Sequence, residues 1–306
     1  MKKLNINKKI KIVISTFLIA LIIIPVNAFA ATNKDGQVVI RGNVITDPTT
    51  LSMIKKFPEV KEDLEENTTG KLVSSTETYF KYTPKSNVKT KKFYASAAEA
   101  QKDYIVTKYT KQQYEDEMKL GAMDYIGGQV DGNCSWMRMS LEVYTGAHEG
   151  TSADYMAYNY CSWLTKPIFA GTDAIGISTS DGLIISNSGK RMARYEYAYD
   201  TAGIDYGSES GYVEPSVQID NEGNGVMATF NVKTYGASYL TGDVNDCMIS
   251  TGVSYNNSNV NKGWITGNYL HEQVSFGGIS MDIHGIPSVS WNLSKDVDQG
   301  HVYVSR

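Results

Sequence analysis

The sequence has little cysteine, and it lacks the short motifs that identify many enzymes. Its 306 residues include three cysteines, none of them in a Cys-x-x-Cys pair of the kind that binds zinc. A Gly-x-Ser-x-Gly nucleophile turn and a P-loop are both missing, and His271-Glu272 is not followed by the second histidine of a His-Glu-x-x-His zinc motif. These absences exclude the hydrolases and nucleotide-binding enzymes that such motifs define, and the sequence predicts no cofactor.

Acidic residues are absent from the first 30 positions, whereas lysine occurs there five times, at Lys2, Lys3, Lys8, Lys9 and Lys11. A largely apolar run over residues 12–26 follows, and Ala28-Phe29-Ala30 then has the small-x-small pattern that signal peptidase cleaves. The sequence therefore predicts a signal peptide over residues 1–30 and a secreted, extracellular product that begins at Ala31. A membrane anchor is disfavoured because the apolar run is shorter than the roughly 20 residues of a spanning helix. The Lys-rich and Ile-rich composition is typical of Gram-positive secretory proteins.

Positive charge is scarce in the rest of the chain. Residues 31–306 contain 24 basic and 33 acidic side chains, which gives a net charge of −9. Residues 128–306 hold the whole excess, with 9 basic and 19 acidic side chains, whereas residues 31–127 are nearly balanced. An acidic surface repels phosphate backbones and anionic lipids, so the composition argues against nucleic acid and simple membrane docking as partners. Glycans, cell-wall material and protein ligands remain compatible with it.

Tryptophan is absent from residues 31–127, and all four tryptophans lie beyond that stretch. Helix-start signals occur at Asp47-Pro48, at Ser96–Glu99 and at Thr110–Gln113. In the last two, a hydroxyl residue and a glutamate or glutamine have the spacing of a capping box. The segment 59–92 is highly charged and is expected to be mobile or loosely packed. Residues 31–127 are therefore predicted to be a charged helical and irregular region, either an exposed subdomain or a propeptide.

A two-residue period appears after position 128. Apolar and polar side chains alternate over residues 137–143, 193–199 and 226–232, which is typical of half-buried strands. Asp181-Gly182 separates two apolar runs and predicts a β-hairpin. Short strands closed by Gly, Asn and Asp turns, without intervening helices, indicate a mainly β fold. Residues 128–306 are therefore predicted to form an antiparallel β-sandwich or jelly-roll-like domain.

The cysteines leave two alternatives open. A secreted chain can form disulfides, and a Cys134–Cys161 bridge would close a short loop. Buried free thiols are the other interpretation.

Histidine and carboxylate side chains occur together near the C-terminus, at His271, Asp282, His284 and His301. These residue types perform general acid and base catalysis, so this group is the candidate for a catalytic site. The alternative is an ordinary polar strand face, in which an acid and a histidine hydrogen-bond each other or water.

Asp220, Glu222 and Asn224 place side-chain oxygens at alternate positions of one loop, as in the calcium-binding loop of an EF-hand. The twelfth position of that loop is Asn231, where the calcium motif requires a bidentate glutamate. The segment is therefore predicted to be a polar hairpin loop, and no metal is predicted.

Tyrosine is abundant in two short segments. One contains Tyr155, Tyr158, Tyr160 and Trp163, and the other contains Tyr195, Tyr197 and Tyr199. Aromatic side chains of this kind bind sugar rings or peptides, although they also pack inside most sheets. These seven residues are the candidate ligand-binding residues.

Three functions follow from these patterns. The first is a secreted, non-catalytic binding protein that associates with a surface or matrix. The second is a secreted antibacterial, bacteriocin-like or pore-forming toxin-like protein, which would insert a hairpin from residues 213–255 into a membrane. The third is a secreted hydrolase that uses the C-terminal histidines.

Overall fold

The first described elements are two short strands and two helices. The structure is a computed structural model that describes residues 37–85, 104–123, 134–147, 153–165, 172–180, 182–185, 192–201, 204–212, 217–219, 225–231, 233–235, 241–271 and 298–306. Strand β1 (Val38–Ile40) pairs antiparallel with β2 (Asn43–Ile45). Helices α1 (Pro48–Lys56) and α2 (Glu59–Asn67) follow.

The predicted helix starts at Asp47 and Thr110 are confirmed, whereas the one at Ser96–Glu99 lies outside the described residues. Asp47 caps α1, because one of its carboxylate oxygens accepts a hydrogen bond from the backbone N–H of Thr50 at 2.8 Å. Helix α3 (Lys111–Met123) begins at the predicted capping box, in which Thr110 and Gln113 each accept a hydrogen bond from the other's backbone N–H.

Among the described residues, nine strands form the larger sheet. They are β3 (Thr68–Pro84), β4 (Tyr104–Tyr109), β5 (Ser135–Gly146), β6 (Tyr155–Trp163), β8 (Leu183–Ile185), β9 (Met192–Thr201), β10 (Ile204–Tyr212), β13 (Lys233–Tyr235) and β14 (Thr241–Tyr255). The main order is β10-β9-β14-β6-β5-β3-β4, and β8 and β13 each pair with β14.

Five strands form the smaller sheet. They are β7 (Thr172–Thr179), β11 (Val217–Ile219), β12 (Gly225–Asn231), β15 (Lys262–His271) and β16 (Asp298–Ser305), in the order β11-β12-β7-β15-β16. Every recorded strand pairing is antiparallel, and apolar side chains from the two sheets pack together in one core. The predicted mainly β, antiparallel sandwich is confirmed.

Side-chain alternation places the core between the sheets. Met137, Met139, Leu141 and Val143 of β5 all lie in this sheet–sheet core, and Val226, Ala228 and Phe230 of β12 meet them from the other side. Val232, the last member of that alternating series, lies outside the described residues. The alternation therefore predicted which face of these strands is apolar.

The second face of the larger sheet is buried as well. Helices α1 and α2 and the β1–β2 ribbon cover it, and they form a helix–sheet core. Its sheet side is built from Tyr144, Met156, Tyr158, Tyr160 and Met248, and its helix side from Met53, Phe57, Val60 and Leu64.

The expected helical and irregular character of residues 31–127 needs correction. Residues 68–84 form the 17-residue strand β3, which lies between β5 and β4 inside the larger sheet. Within the segment expected to be loosely packed, Val60, Leu64 and Phe80 are fully or almost fully buried. Residues on both sides of Gly127 contribute to one sheet, so removal of residues 31–127 would take away its strands β3 and β4 and the cover of one sheet face.

The predicted hairpin at Asp181-Gly182 is also wrong. The chain turns there, and Gly182 adopts a φ of 88° that suits glycine. The two flanking strands do not pair with each other, however: β7 belongs to the smaller sheet, whereas β8 pairs with β14 in the larger one. The turn therefore carries the chain from one sheet to the other.

None of the three cysteines forms a disulfide in the structure, so the Cys134–Cys161 bridge is not formed. Strand register explains this result, because Cys161 lies opposite Met139, five positions along β5 from Cys134. Five residues of a strand span about 17 Å, far more than a disulfide can bridge.

Candidate functional site

The predicted aromatic residues of β6 are buried. Tyr155 and Trp163 face the sheet–sheet core, while Tyr158 and Tyr160 face the helix–sheet core. Both faces of this strand are covered, so these four side chains do not form an exposed binding platform. For Tyr195, Tyr197 and Tyr199, the structure describes the backbone of β9, where they pair with Cys247, Val244 and Gly242 of β14, and their side chains lie outside the description.

Two other aromatic side chains are exposed on the outer face of the smaller sheet. Trp264 of β15 and Tyr303 of β16 are directly opposite each other in the antiparallel register. They are 49% and 45% exposed, and their ring centroids lie 5.1 Å apart with the planes inclined by 65°. The His301 ring lies 6.5 Å from that of Trp264. We call Trp264, His301 and Tyr303 the aromatic surface.

The backbone holds Trp264 in a fixed position. Its N–H donates a hydrogen bond to the Ser180 hydroxyl at 2.8 Å, and its carbonyl accepts one from the Ser180 N–H at 2.9 Å. On the other side it pairs with β16. The aromatic surface is thus carried by adjacent strands and not by a loop, so little backbone freedom would be lost if a ligand contacted its rings.

His301 gives the aromatic surface a polar group. Its Nδ1 lies 2.9 Å from the hydroxyl oxygen of Thr266, the residue opposite it on β15. Partial burial, assisted by the nearby Lys108, lowers the pKa of His301 below its ordinary value. A neutral imidazole both donates and accepts hydrogen bonds, which suits a ligand that presents hydroxyl groups beside an apolar face.

A buried acid–histidine cluster lies inside the sandwich, where β7 pairs with β15. Asp173 accepts a hydrogen bond from the Tyr269 hydroxyl, and Nδ1 of His271 lies 2.9 and 3.0 Å from the two Asp173 oxygens. The indole N–H of Trp163 donates to the Tyr269 oxygen at 3.1 Å. The His271 ring packs edge-on against Tyr82 and Trp163.

This cluster has the form of an oriented base, but its surroundings favour a structural role. Among the described residues, Asp173 is the hydrogen-bond partner of the His271 ring, and no hydroxyl or thiol nucleophile bonds to that ring. Tyr269 and His271 supply the donors that a fully buried Asp173 requires. The arrangement satisfies the hydrogen bonding of a buried polar side chain inside the sandwich.

The two described histidines of the predicted group, His271 and His301, do not converge. His271 faces the interior, whereas His301 lies opposite Thr266, five residues away on β15 and on the other face of the sheet. Asp282 and His284 lie outside the described residues, as do the calcium candidates Asp220, Glu222 and Asn224. Within the described ranges, no three His, Cys, Asp or Glu side chains are grouped to hold a metal ion.

A cavity of about 370 Å³ opens where β3, β5, β14 and β16 meet. Tyr155, one of the predicted ligand residues, lines it, with its hydroxyl oxygen 3.0 Å from that of Tyr255. The Arg306 guanidinium lies 4.2 Å from the centroid of the Tyr255 ring. Lys71 and Asp154 complete a lining that carries both signs of charge.

Sequence reasoning missed the aromatic surface, although β15 contains a signal for it. Ile265 and Tyr269 lie on the apolar face of this strand, whereas Trp264 lies on the opposite face with Thr266 and Asn268. A tryptophan on the polar face of an alternating strand points away from the sheet–sheet core. Its partner Tyr303 could not be paired with it without the strand register.

Comparison with known proteins adds little. No protein-family model matches the sequence, and no curated protein sequence matches it. The similar solved structures include a collagen-binding domain from a Staphylococcus aureus adhesin, with 11% identity, coverage of 56% of this chain and 88% of that one, and a TM-score of 0.25.

Two further structures match at similar levels. One is AvmM, which catalyses macrocyclization in alchivemycin A biosynthesis, with 9% identity, coverage of 49% and 79%, and a TM-score of 0.22. The other is a chain named BspA_C_WT, with 8% identity, coverage of 64% and 81%, and a TM-score of 0.27. At these scores none of the three supports an inference about this chain.

Proposed function

We propose that this protein is a secreted, non-catalytic binding protein that holds a glycan of a cell wall or extracellular matrix on its aromatic surface. The observation that supports this function is the exposed Trp264–Tyr303 pair on two adjacent strands. Many other aromatic side chains of the sandwich are buried, as Tyr144, Tyr158, Tyr160 and Tyr269 are. An indole and a phenol that are half exposed to water leave apolar surface unburied, and a bound ligand would bury that surface.

The chemistry of the aromatic surface favours a sugar ring. An indole face packs against the apolar face of a pyranose, and His301 and the Tyr303 hydroxyl reach its hydroxyl groups. The acidic chain disfavours polyanionic partners in general. Export through the signal peptide over residues 1–30 is part of the proposal, because it would bring the protein to such glycans.

The membrane-inserting alternative has less support. Within residues 213–255, strands β11 and β12 belong to the smaller sheet, whereas β13 and β14 belong to the larger one. Val226 and Phe230 lie in the sheet–sheet core, and β14 contributes to both cores. Insertion would require this segment to leave two sheets at once. In the described part of the chain, no helix combines the length and apolar character needed to cross a bilayer.

Binding to insoluble cell walls and to a panel of neutral polysaccharides tests the proposal. The double variant Trp264→Ala/Tyr303→Ala should bind at least about tenfold more weakly, because aromatic anchors at a binding centre contribute more than 1.4 kcal/mol. Ile105→Ala is the matched control, since it removes an equally exposed apolar side chain from β4, in the other sheet.

Unchanged binding by the double variant would refute this assignment. Loss of binding with Arg306→Ala instead would place the ligand in the 370 Å³ cavity. Loss of binding after protease treatment of the wall would identify a protein ligand.

A further inference from the structure

Two cysteines face each other across the middle of the larger sheet. Strands β6 and β14 pair antiparallel, and Cys161 lies directly opposite Cys247 in a register that runs without interruption from Asp246 to Val253. Directly opposed residues of an antiparallel pair have Cα atoms about 4.5–5.5 Å apart. A disulfide requires about 4.4–6.8 Å, so this register satisfies its distance requirement without movement of the backbone.

The two side chains also point the same way. Both belong to the sheet–sheet core and both are buried. Burial raises the pKa of Cys247, and hydrogen bonding with the Cys161 thiol raises it further. Each thiol therefore has the other as its immediate cross-strand neighbour, while Cys134 lies about 17 Å along the sheet.

We propose that Cys161 and Cys247 form a cross-strand disulfide when the exported chain folds in an oxidising environment. This inference uses the export that is part of the proposed function. The oxidant is the disulfide of a thiol–disulfide oxidoreductase or of a small-molecule disulfide. One cysteine thiolate attacks that disulfide and forms a mixed disulfide, and the second thiolate then displaces the carrier. The two cysteines lose two electrons and two protons, and the carrier ends as two thiols.

The position of the bond explains what it would do. The chain between the two cysteines contains all of β7 to β13, which includes three strands of the smaller sheet and four of the larger one. Closing a loop of this length restricts the unfolded chain strongly. The bond should therefore raise the melting temperature of the oxidised protein by about 10 °C relative to the reduced protein.

The test begins with the full chain, unfolded under reducing conditions and refolded in a glutathione redox buffer. Thiols are then counted in denaturant, and the cross-linked peptides are identified by mass spectrometry. We expect one free thiol, at Cys134, and a peptide pair that joins Cys161 to Cys247. The control Cys134→Ser should form the same cross-link and leave no free thiol.

Three reactive thiols after refolding, or a cross-link that includes Cys134, would overturn the proposal. A melting temperature that is the same with and without reductant would overturn the predicted stabilisation. This refolding experiment does not depend on export. Failure of export would appear separately, as protein retained in cells with residues 1–30 still attached.

Discussion

The two faces of the nine-stranded sheet are both buried, but by different chemistry. The face toward the smaller sheet is packed mainly with aliphatic, methionine and aromatic side chains, and the Asp173–Tyr269–His271 cluster of the smaller sheet lies against it. The face toward the helices contains tyrosine hydroxyls and carboxylates at close range. Apolar contact therefore predominates between the two sheets, although hydrogen bonds from Asn159 and Tyr155 also cross to the smaller sheet. Hydrogen bonds to buried acids help to position the helices on the larger sheet.

Hydrogen bonds between tyrosines and acids link α2 and β14 to β6. The Tyr158 hydroxyl donates to Asp63 of α2 at 2.5 Å, and Asn67 donates to the same carboxylate at 2.8 Å. The Tyr160 hydroxyl donates to Asp246 of β14 at 2.6 Å, and Lys56 of α1 forms an ion pair with that acid at 3.3 Å.

The third polar contact joins α1 to β5. The Thr50 hydroxyl donates to Glu142 at 2.5 Å, and Tyr144 donates to the same carboxyl at 3.4 Å. In the described part of the chain, the second oxygen of this carboxyl, Oε1, has no hydrogen-bond partner. Burial raises the pKa of Glu142 to about 8, so the group is mostly protonated at neutral pH. The helix–sheet core should therefore respond to pH, and the sheet–sheet core should respond mainly to volume.

The largest expected effect is the pH dependence of the helix–sheet core. Glu142 titrates near 4.5 in the unfolded chain and near 8 in the fold, so its contribution to stability is complete below pH 4.5 and is lost as the pH rises through 8. The free energy of unfolding should fall by about 4 kcal/mol across that range through this group. Urea unfolding at several pH values measures it.

Glu142→Gln keeps the shape of the side chain and removes its titration. The difference in unfolding free energy between wild type and Glu142→Gln should therefore change steadily between pH 5 and pH 9. A constant difference in unfolding free energy over this range would show that Glu142 does not make the helix–sheet core sensitive to pH.

The next effect concerns the sheet–sheet core. Leu141 is fully buried there, so Leu141→Ala should destabilise the protein by about 3 kcal/mol through lost transfer energy and the cavity that remains. This loss should be the same at pH 6 and pH 8. Val73→Ala, at a partly exposed position, is the control and should change stability by less than about 0.5 kcal/mol. A loss for Leu141→Ala that depends on pH would weaken the contrast between the cores.

The smallest effect tests a single hydrogen bond in the helix–sheet core. Tyr158→Phe removes the hydroxyl that donates to the buried Asp63 and leaves the ring in place, so it should cost about 1–2 kcal/mol. Tyr303→Phe, which removes an exposed hydroxyl, should be nearly neutral. Equal stability of the two variants in thermal unfolding would show that the tyrosine–carboxylate contacts do not hold the helices.

The candidate site was less predictable than the fold. Alternation over β5 and β12 identified the inward side chains because a pleated strand places every second residue on the same face. The tyrosines of β6 are wrongly predicted to be exposed, because the sequence does not show that helices cover the second face of that strand. Trp264 and Tyr303 are 39 positions apart, and only the pairing of β15 with β16 brings their rings together.

The sequence alone determined that the chain is mainly β, which faces of its alternating strands are apolar, and where α1 and α3 begin, because these features depend on neighbouring residues. The tertiary structure decided that β3 belongs to the larger sheet, that the turn at Gly182 changes sheets, and that Cys161 faces Cys247 instead of Cys134. These features depend on strand order and register, and both are set by which distant surfaces bury each other best.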